Sequence, residues 1–237
     1  MVASRPLTGA FAIALGVGFN IPYAILAMTY DYPGVLRAPA GHALDLFAAG
    51  GPGLVLTWHA FALSALLMIP VSIALALTPG AVTRTPALAI GAAIAGSLAG
   101  LAQAIGLWRW VFVVPGLART HAEPSASPAA RLAAEQTFEL INQYGGVAVG
   151  EHLGQMLTVI FMLMVSMIQW GEGRRGTGGI GVISAAALLV GAHEGLALAL
   201  DQSGEIFSYA TIAGFLGLSV WLCATGLGLM RGRRTEA

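Results

Sequence analysis

The sequence predicts an all-α integral membrane protein: a bundle of six transmembrane helices with a short outer amphipathic helix. Three observations carry this. Hydrophobic residues make up 57% and charged residues 9% of the 237-residue chain, and its mean hydropathy is +0.80. The apolar residues gather in six stretches, each of about twenty residues or more, the length that crosses a bilayer as a helix. Period-2 alternation, the mark of a membrane barrel, is absent. In lipid, helices satisfy their backbone polar groups within one segment.

The spans read as roughly 7–30, 52–79, 87–115, 147–170, 178–200 and 207–230. The first apolar run, Leu7 to Tyr30, exceeds the roughly 7–15-residue core of a signal peptide. It is read as a retained helix, although Ala38-Pro39-Ala40 resembles a cleavage site. Asn20 and Pro22 near its middle predict a kink, because proline frees a carbonyl. Asp31 to Gly53, with its prolines, glycines and two acids, predicts an outer loop with a short helix around 41–49. In span 3, Gly96 and Gly100 form a GxxxG pair, which suits close helix packing within the chain or, alternatively, a homodimer.

Glu123-Pro124-Ser125-Ala126-Ser127-Pro128 is a loop signal, and a helix over about 129–143 follows it. Arg131, Glu135, Glu139 and Asn142 share one of its faces, with Leu132, Phe138 and Ile141 opposite. Tyr144-Gly145-Gly146 predicts a bend or break before span 4. Ser203-Gly204 separates spans 5 and 6. No internal repeat is evident, and no polar stretch is long enough for a soluble domain. Residues 1–237 are therefore read as a single transmembrane domain.

Arginine sets the orientation. Arg5, Arg84, Arg174, Arg175, Arg231, Arg233 and Arg234 fall on one side against Glu172 and Glu236, a balance of +5. The other side holds Arg37, Arg109, Arg119 and Arg131. Against these stand Asp31, Asp45, Glu123, Glu135, Glu139, Glu151, Glu194, Asp201 and Glu205, a balance of −5. The positive-inside rule places both termini in the cytoplasm of a cell whose inner membrane holds the protein. Tyr30, Tyr32, Trp58, Trp108, Trp110, Tyr144 and Tyr209 mark the outer boundary as an aromatic belt, and Trp170 the inner one. The zero net charge gives no basic patch for nucleic acid. Cys223 is the sole cysteine, so no intrachain disulfide forms. With no lysine in the chain, Schiff-base and pyridoxal chemistry are excluded.

The few ionisable residues of the spans cluster toward the outer face. His59, Arg109, Glu139, Glu151, His152, His193 and Glu194 come from four stretches at one depth. A charge at mid-membrane costs roughly 2.5–3.5 kcal/mol on insertion scales, so such residues face a cavity, a partner or a ligand. Three functional readings compete. In the first, His59, His152 and His193 ligate Zn, Cu or Fe, and Glu151 and Glu194 act as catalytic carboxylates. Arg109, Glu139 and Asn142 then bind the substrate. The outward-facing site would perform hydrolysis or redox chemistry on a small lipid-soluble molecule, a substrate class suggested only by its depth. In the second, two histidines clamp a haem whose propionate meets Arg109. In the third, the cluster is the pathway of a small proton-coupled transporter. An internal ion-pair network is the structural alternative. Arg109 is expected to pair with Glu151 or Glu139, tying span 3 to span 4. His42 and His121 read as ordinary loop histidines, and Met162, Met164 and Met167 as packing residues.

Three segments resemble a bacterial multi-helix inner-membrane family catalogued only as a domain of unknown function. They are Gly106-Leu-Trp-Arg-Trp-Val-Phe-Val-Val-Pro115, Phe138-Glu-Leu-Ile-Asn142 and Gly146-Val-Ala-Val-Gly-Glu-His-Leu-Gly154. The resemblance implies a six-span layout over most of the chain and an inner-membrane location. It implies no reaction or cofactor.

Overall fold

Each of the six apolar stretches folds as helix long enough to cross a bilayer. The computed structural model describes residues 5–231. Span 1 is α1 (Pro6–Gly18) followed by α2 (Asn20–Thr29), and span 2 is α3 (Ala40–Ala76). The short α4 (Pro79–Arg84) leads to span 3, α5 (Pro86–Phe112). At about 1.5 Å per residue, α5 alone is roughly 40 Å long and crosses the bilayer. The next two helices, α6 (Val114–Ala122) and α7 (Pro128–Ile141), therefore lie beyond it as a cap. A π-helix, Asn142–Leu153, joins α7 to α8 (Gly154–Gly171), which completes span 4. Span 5 is α9 (Arg175–Gly191) and α10 (His193–Ala199), and span 6 is α11 (Glu205–Arg231).

The helices form a ring. α1 packs on α11, α11 on α9, α9 on α8, α8 on α5, α5 on α3, and α3 closes the ring against α1 and α2. Small residues set the close approaches. A Cβ at Gly100 would sit 2.6 Å from the Ala65 carbonyl oxygen, and one at Gly9 would sit 2.5 Å from the Gly226 carbonyl oxygen. The GxxxG surface of α5 is thus spent on α3 within the chain.

Two apolar clusters hold the ring. Phe161, Met162, Leu188, Trp221 and Leu222 anchor the one nearer the termini. Tyr30, Phe47, Trp58, Trp110 and Phe138 anchor the other, under the cap. Trp58 stacks on Trp110 at 4.8 Å with planes 10° apart. Tyr30 meets Phe47, Trp58 and Trp110 edge-on, and its hydroxyl donates to the Ala43 carbonyl at 2.9 Å.

Charge divides between the two faces. The Arg5 backbone N–H donates to the Leu229 carbonyl, so the start of α1 lies beside the end of α11. On that face Arg84 and Arg174 reach Glu172 at 3.5 and 3.9 Å. The acidic excess lies on the capped face, with the 31–39 segment, α6 and α7.

Several local expectations change. The short helix expected over 41–49 is the first part of α3, continuous across a kink at Gly51 (φ 63°, ψ −164°). Pro52 disfavours the helical conformation at the residue before it, and glycine alone takes this φ freely. The helix over 129–143 is present as α7, its start capped by Ser127 Oγ accepting from Ala130 N at 3.2 Å. Its apolar face is Ala134 and Phe138, while Leu132 is exposed. Tyr144-Gly145-Gly146 does not break the chain: helix runs from Pro128 to Gly171, loosened into the π segment. Glycine there serves packing instead. A Cβ at Gly146 would lie 2.5 Å from Arg109 Nη2. Span 1 is interrupted at Phe19, and Asn20 Nδ2 donates to Gly16 O at 2.8 Å and to Ser219 Oγ at 3.0 Å.

Candidate functional site

All six spans wall a cavity of about 680 Å³. Its body is apolar and aromatic: Leu15 and Phe19 from span 1, Trp58, Phe61 and Met68 from α3, Phe215 and Leu222 from α11. Polar groups enter at two levels. Deep in the ring are Asn20, Ser64, Gln103, Gln155 and Thr158. Gln103 Nε2 donates to Thr158 Oγ1 at 3.0 Å, and Thr158 Oγ1 donates to Gly154 O at 2.8 Å. Gln155 is buried, and its side-chain oxygen has no hydrogen-bond partner. Toward the capped face lie Arg37, Arg109, Glu151 and Glu194.

Arg37 organises that upper layer. It ends the short 3₁₀ turn Gly34–Arg37 in the 31–39 segment, and its guanidinium reaches over the chamber. Nη2 meets Glu151 Oε2 at 2.5 Å and Nε meets Glu194 Oε1 at 3.1 Å. One loop cation thus ties span 4 to span 5. Burial disfavours its charge, but the two carboxylates hold its pKa above the ordinary arginine value.

Arg109 lies under this strap, 7% exposed. Its carboxylate partner was expected to be Glu151 or Glu139, and the structure corrects this. Nη1 donates to the Gly106 carbonyl, and Nη2 donates to Asn142 Oδ1 at 2.9 Å. Asn142 Nδ2 in turn donates to Leu36 O at 3.1 Å, joining the arginine to the strap. The Arg109 guanidinium carbon lies 5.1 Å from the Trp110 ring centre. Glu151 is instead engaged by Arg37, and Glu139 is exposed on α7, away from the chamber. The tie from span 3 to the start of span 4 exists, but its acceptor is an amide.

The three histidines do not converge. His152 Nδ1 donates to Ala192 O at 2.8 Å, and His193 Nδ1 donates to Leu189 O at 2.8 Å. Both are exposed, whereas Glu151 and Glu194 beside them face the chamber. Neighbouring helical residues diverge, and in each of the pairs Glu151-His152 and His193-Glu194 it is the glutamate that lines the chamber. His59 packs edge-on to Phe112, and none of the three lines the chamber. Among the described residues no three His, Cys, Asp or Glu side chains are grouped as a metal ion requires.

Residues 7–226 match the family described as "Domain of unknown function (DUF4386)". The chain belongs to that family. No curated protein and no solved structure matches it. The DUF4386 description names no reaction, so the chemistry is read from the site itself.

Two residues that organise the capped end of this DUF4386 protein lay outside the sequence-based set. Arg37 was counted only as loop charge; the excess of acids over arginines on its face was the available signal. His121, read as an ordinary loop histidine, bridges Asp45 and Glu135 at 2.9 and 2.8 Å and locks α6 to α3 and α7. Burial opposes its charge, but hydrogen bonds to Glu135 and Asp45 outweigh this and raise its pKa.

Proposed function

We propose that this protein binds a lipid-soluble amphiphile inside the bilayer. The apolar body fills the chamber, and the polar head sits in the layer of Arg37, Glu151, Glu194 and Arg109. The cavity supports this reading. Protein interiors pack as densely as organic crystals, with few voids larger than a water molecule. A partly open space of about 680 Å³ walled by leucine, phenylalanine, tryptophan and methionine is left unfilled by the chain's own side chains. It falls within the roughly 300–1,000 Å³ typical of small-molecule sites, with apolar walls and few polar groups. Metal chemistry would require His59, His152 and His193 to converge, and none of them lines the chamber, so the chamber supports binding better than metal-assisted hydrolysis or redox catalysis.

The Arg37 strap closes the polar end of the chamber. The arginine-rich face is assigned to the cytoplasm of a bacterial inner membrane by the positive-inside rule, which points the strap outward. Trp58 and Trp110 in the chamber wall provide a reporter. A brominated long-chain amphiphile should quench their fluorescence saturably in nanodiscs. The Ala65→Phe/Ile212→Phe double variant, which fills the chamber, should lose that quenching while keeping its helical spectrum. Equal quenching in parent and filled variant would show that the probe meets only the lipid-facing surface.

A further inference from the structure

We infer that Arg109 is the counter-ion for an anionic head group, so that the occupant is an acidic amphiphile; this rests on the chamber being a binding site. Arg109 is 7% exposed and forms part of the chamber wall. Neither of its hydrogen-bond acceptors, the Gly106 carbonyl and Asn142 Oδ1, is charged. A guanidinium offers five N–H donors and cannot shed its charge in a protein. The Nε donor is buried without a partner. Among the described residues, no carboxylate lies within ion-pair distance of Arg109. Glu151 and Glu194, the carboxylates placed beside it at the chamber's polar end, are joined to Arg37. Glu151 acts on Arg109 only from a distance while bonded to Arg37, so no anion among the described residues contacts this buried guanidinium, and an anionic head group supplies that contact. The chamber that brings the anion also supplies room for an apolar chain. Carboxylate and phosphate heads share this chemistry, because guanidinium pairs with both in the same forked geometry.

The test uses the full chain in nanodiscs and three probes of equal chain length: hexadecanoate, hexadecyl phosphate and hexadecanol. Displacement of the brominated reporter is measured at a pH where the acid is ionised. The inference expects at least one anion to bind about tenfold or more tightly than the alcohol. Which anion leads identifies the head group as carboxylate or phosphate. Arg109→Gln should erase the preference. Asn142→Asp supplies an internal anion to Arg109 while giving up the donor to Leu36 O, so the readout is the ratio of anion to hexadecanol binding, which should fall about tenfold. This second variant keeps the test decisive if Arg109→Gln fails to fold. Equal binding of all three probes by the parent would overturn the inference and leave the chamber reading standing. An anion preference unchanged in Asn142→Asp would overturn Arg109's role. If none of the three probes displaces the reporter, the chamber reading fails and the inference falls with it.

Discussion

Replacing Arg37 with alanine removes a side chain that bridges spans 4 and 5 across the chamber mouth. The magnitude is set by the environment of the three groups. The side chains of Arg37, Glu151 and Glu194 are 29%, 24% and 12% exposed. Fully exposed ion pairs contribute about 0–1 kcal/mol, whereas breaking a fully buried pair costs about 3–5 kcal/mol. These contacts lie between the limits, and Glu194 lies nearer the buried one. Arg37→Ala should therefore destabilise the folded protein by about 2 kcal/mol, most of it from leaving Glu194 without its cation. Thermal unfolding of detergent-solubilised protein, followed by tryptophan fluorescence, measures the loss. A double-mutant cycle with Glu194→Gln locates it. Neutralising Glu194 in the Arg37→Ala background should recover part of the lost stability, because the stranded carboxylate is then gone. If Arg37→Ala melts like the parent, or if the two losses simply add, the strap is a surface contact and the argument for a closed polar end fails.

Gly146→Ala brings a methyl group to 2.5 Å from Arg109 Nη2 and 2.6 Å from its Cζ. Overpacking of this kind costs about 1–3 kcal/mol, so the variant should melt below the parent while Gly145→Ala, with open space around it, should not. His121 has a raised pKa in the folded state. Its contribution is therefore fully present below the unfolded value of about 6.5 and is lost as pH rises through the higher folded value. The melting temperature should fall with rising pH across that window, and His121→Gln should flatten this part of the profile; an unchanged slope would remove the histidine from the account. For orientation, cysteines placed at Arg84 and Arg174 in a Cys223→Ser background should resist membrane-impermeant thiol reagents in intact cells, and labelling from outside would reverse the assignment.

The sequence revealed the spans because the bilayer imposes their length and polarity. The polar layer was also legible: Arg109, Asn142, Glu151 and Glu194 were all named, and the structure brings them to one end of the ring. Their pairing was not legible. Between Asn142 and Leu153 the chain is π-helical, with hydrogen bonds closing over five residues rather than four. Each such turn shifts the angular position of the residues after it, so α-helical geometry does not carry the polar face of α7 through Asn142 to Glu151. Arg37 was hidden for another reason. It stands in a short loop turn, where no periodicity relates a side chain to a face. The histidines could have been separated from the carboxylates in advance. His152 and His193 each adjoin a glutamate, and neighbouring residues on a helix point in different directions.

The chamber and the glycines have a common origin in the packing. On the half of the ring that carries the termini, helices run without interruption and close on small residues: Gly9 meets Gly226 across α1 and α11, and Gly96 meets Ser72 across α5 and α3. Nearer the cap, the walls lose that regularity. Span 1 is interrupted at Phe19, span 2 kinks at Gly51, span 4 widens into the π-helix, and span 5 breaks at Ala192. Residues at or beside three of these points, Phe19, Gly146, Gly150, Glu151 and Glu194, line the cavity. Interruptions of helix are energetically tolerable at membrane depth only where protein or a cavity receives the freed backbone groups. Helices that stay straight where they are tightly packed and bend where they surround a space agree with the proposal that the chamber holds an occupant. On that proposal, the charged layer at its capped end sets which occupants fit.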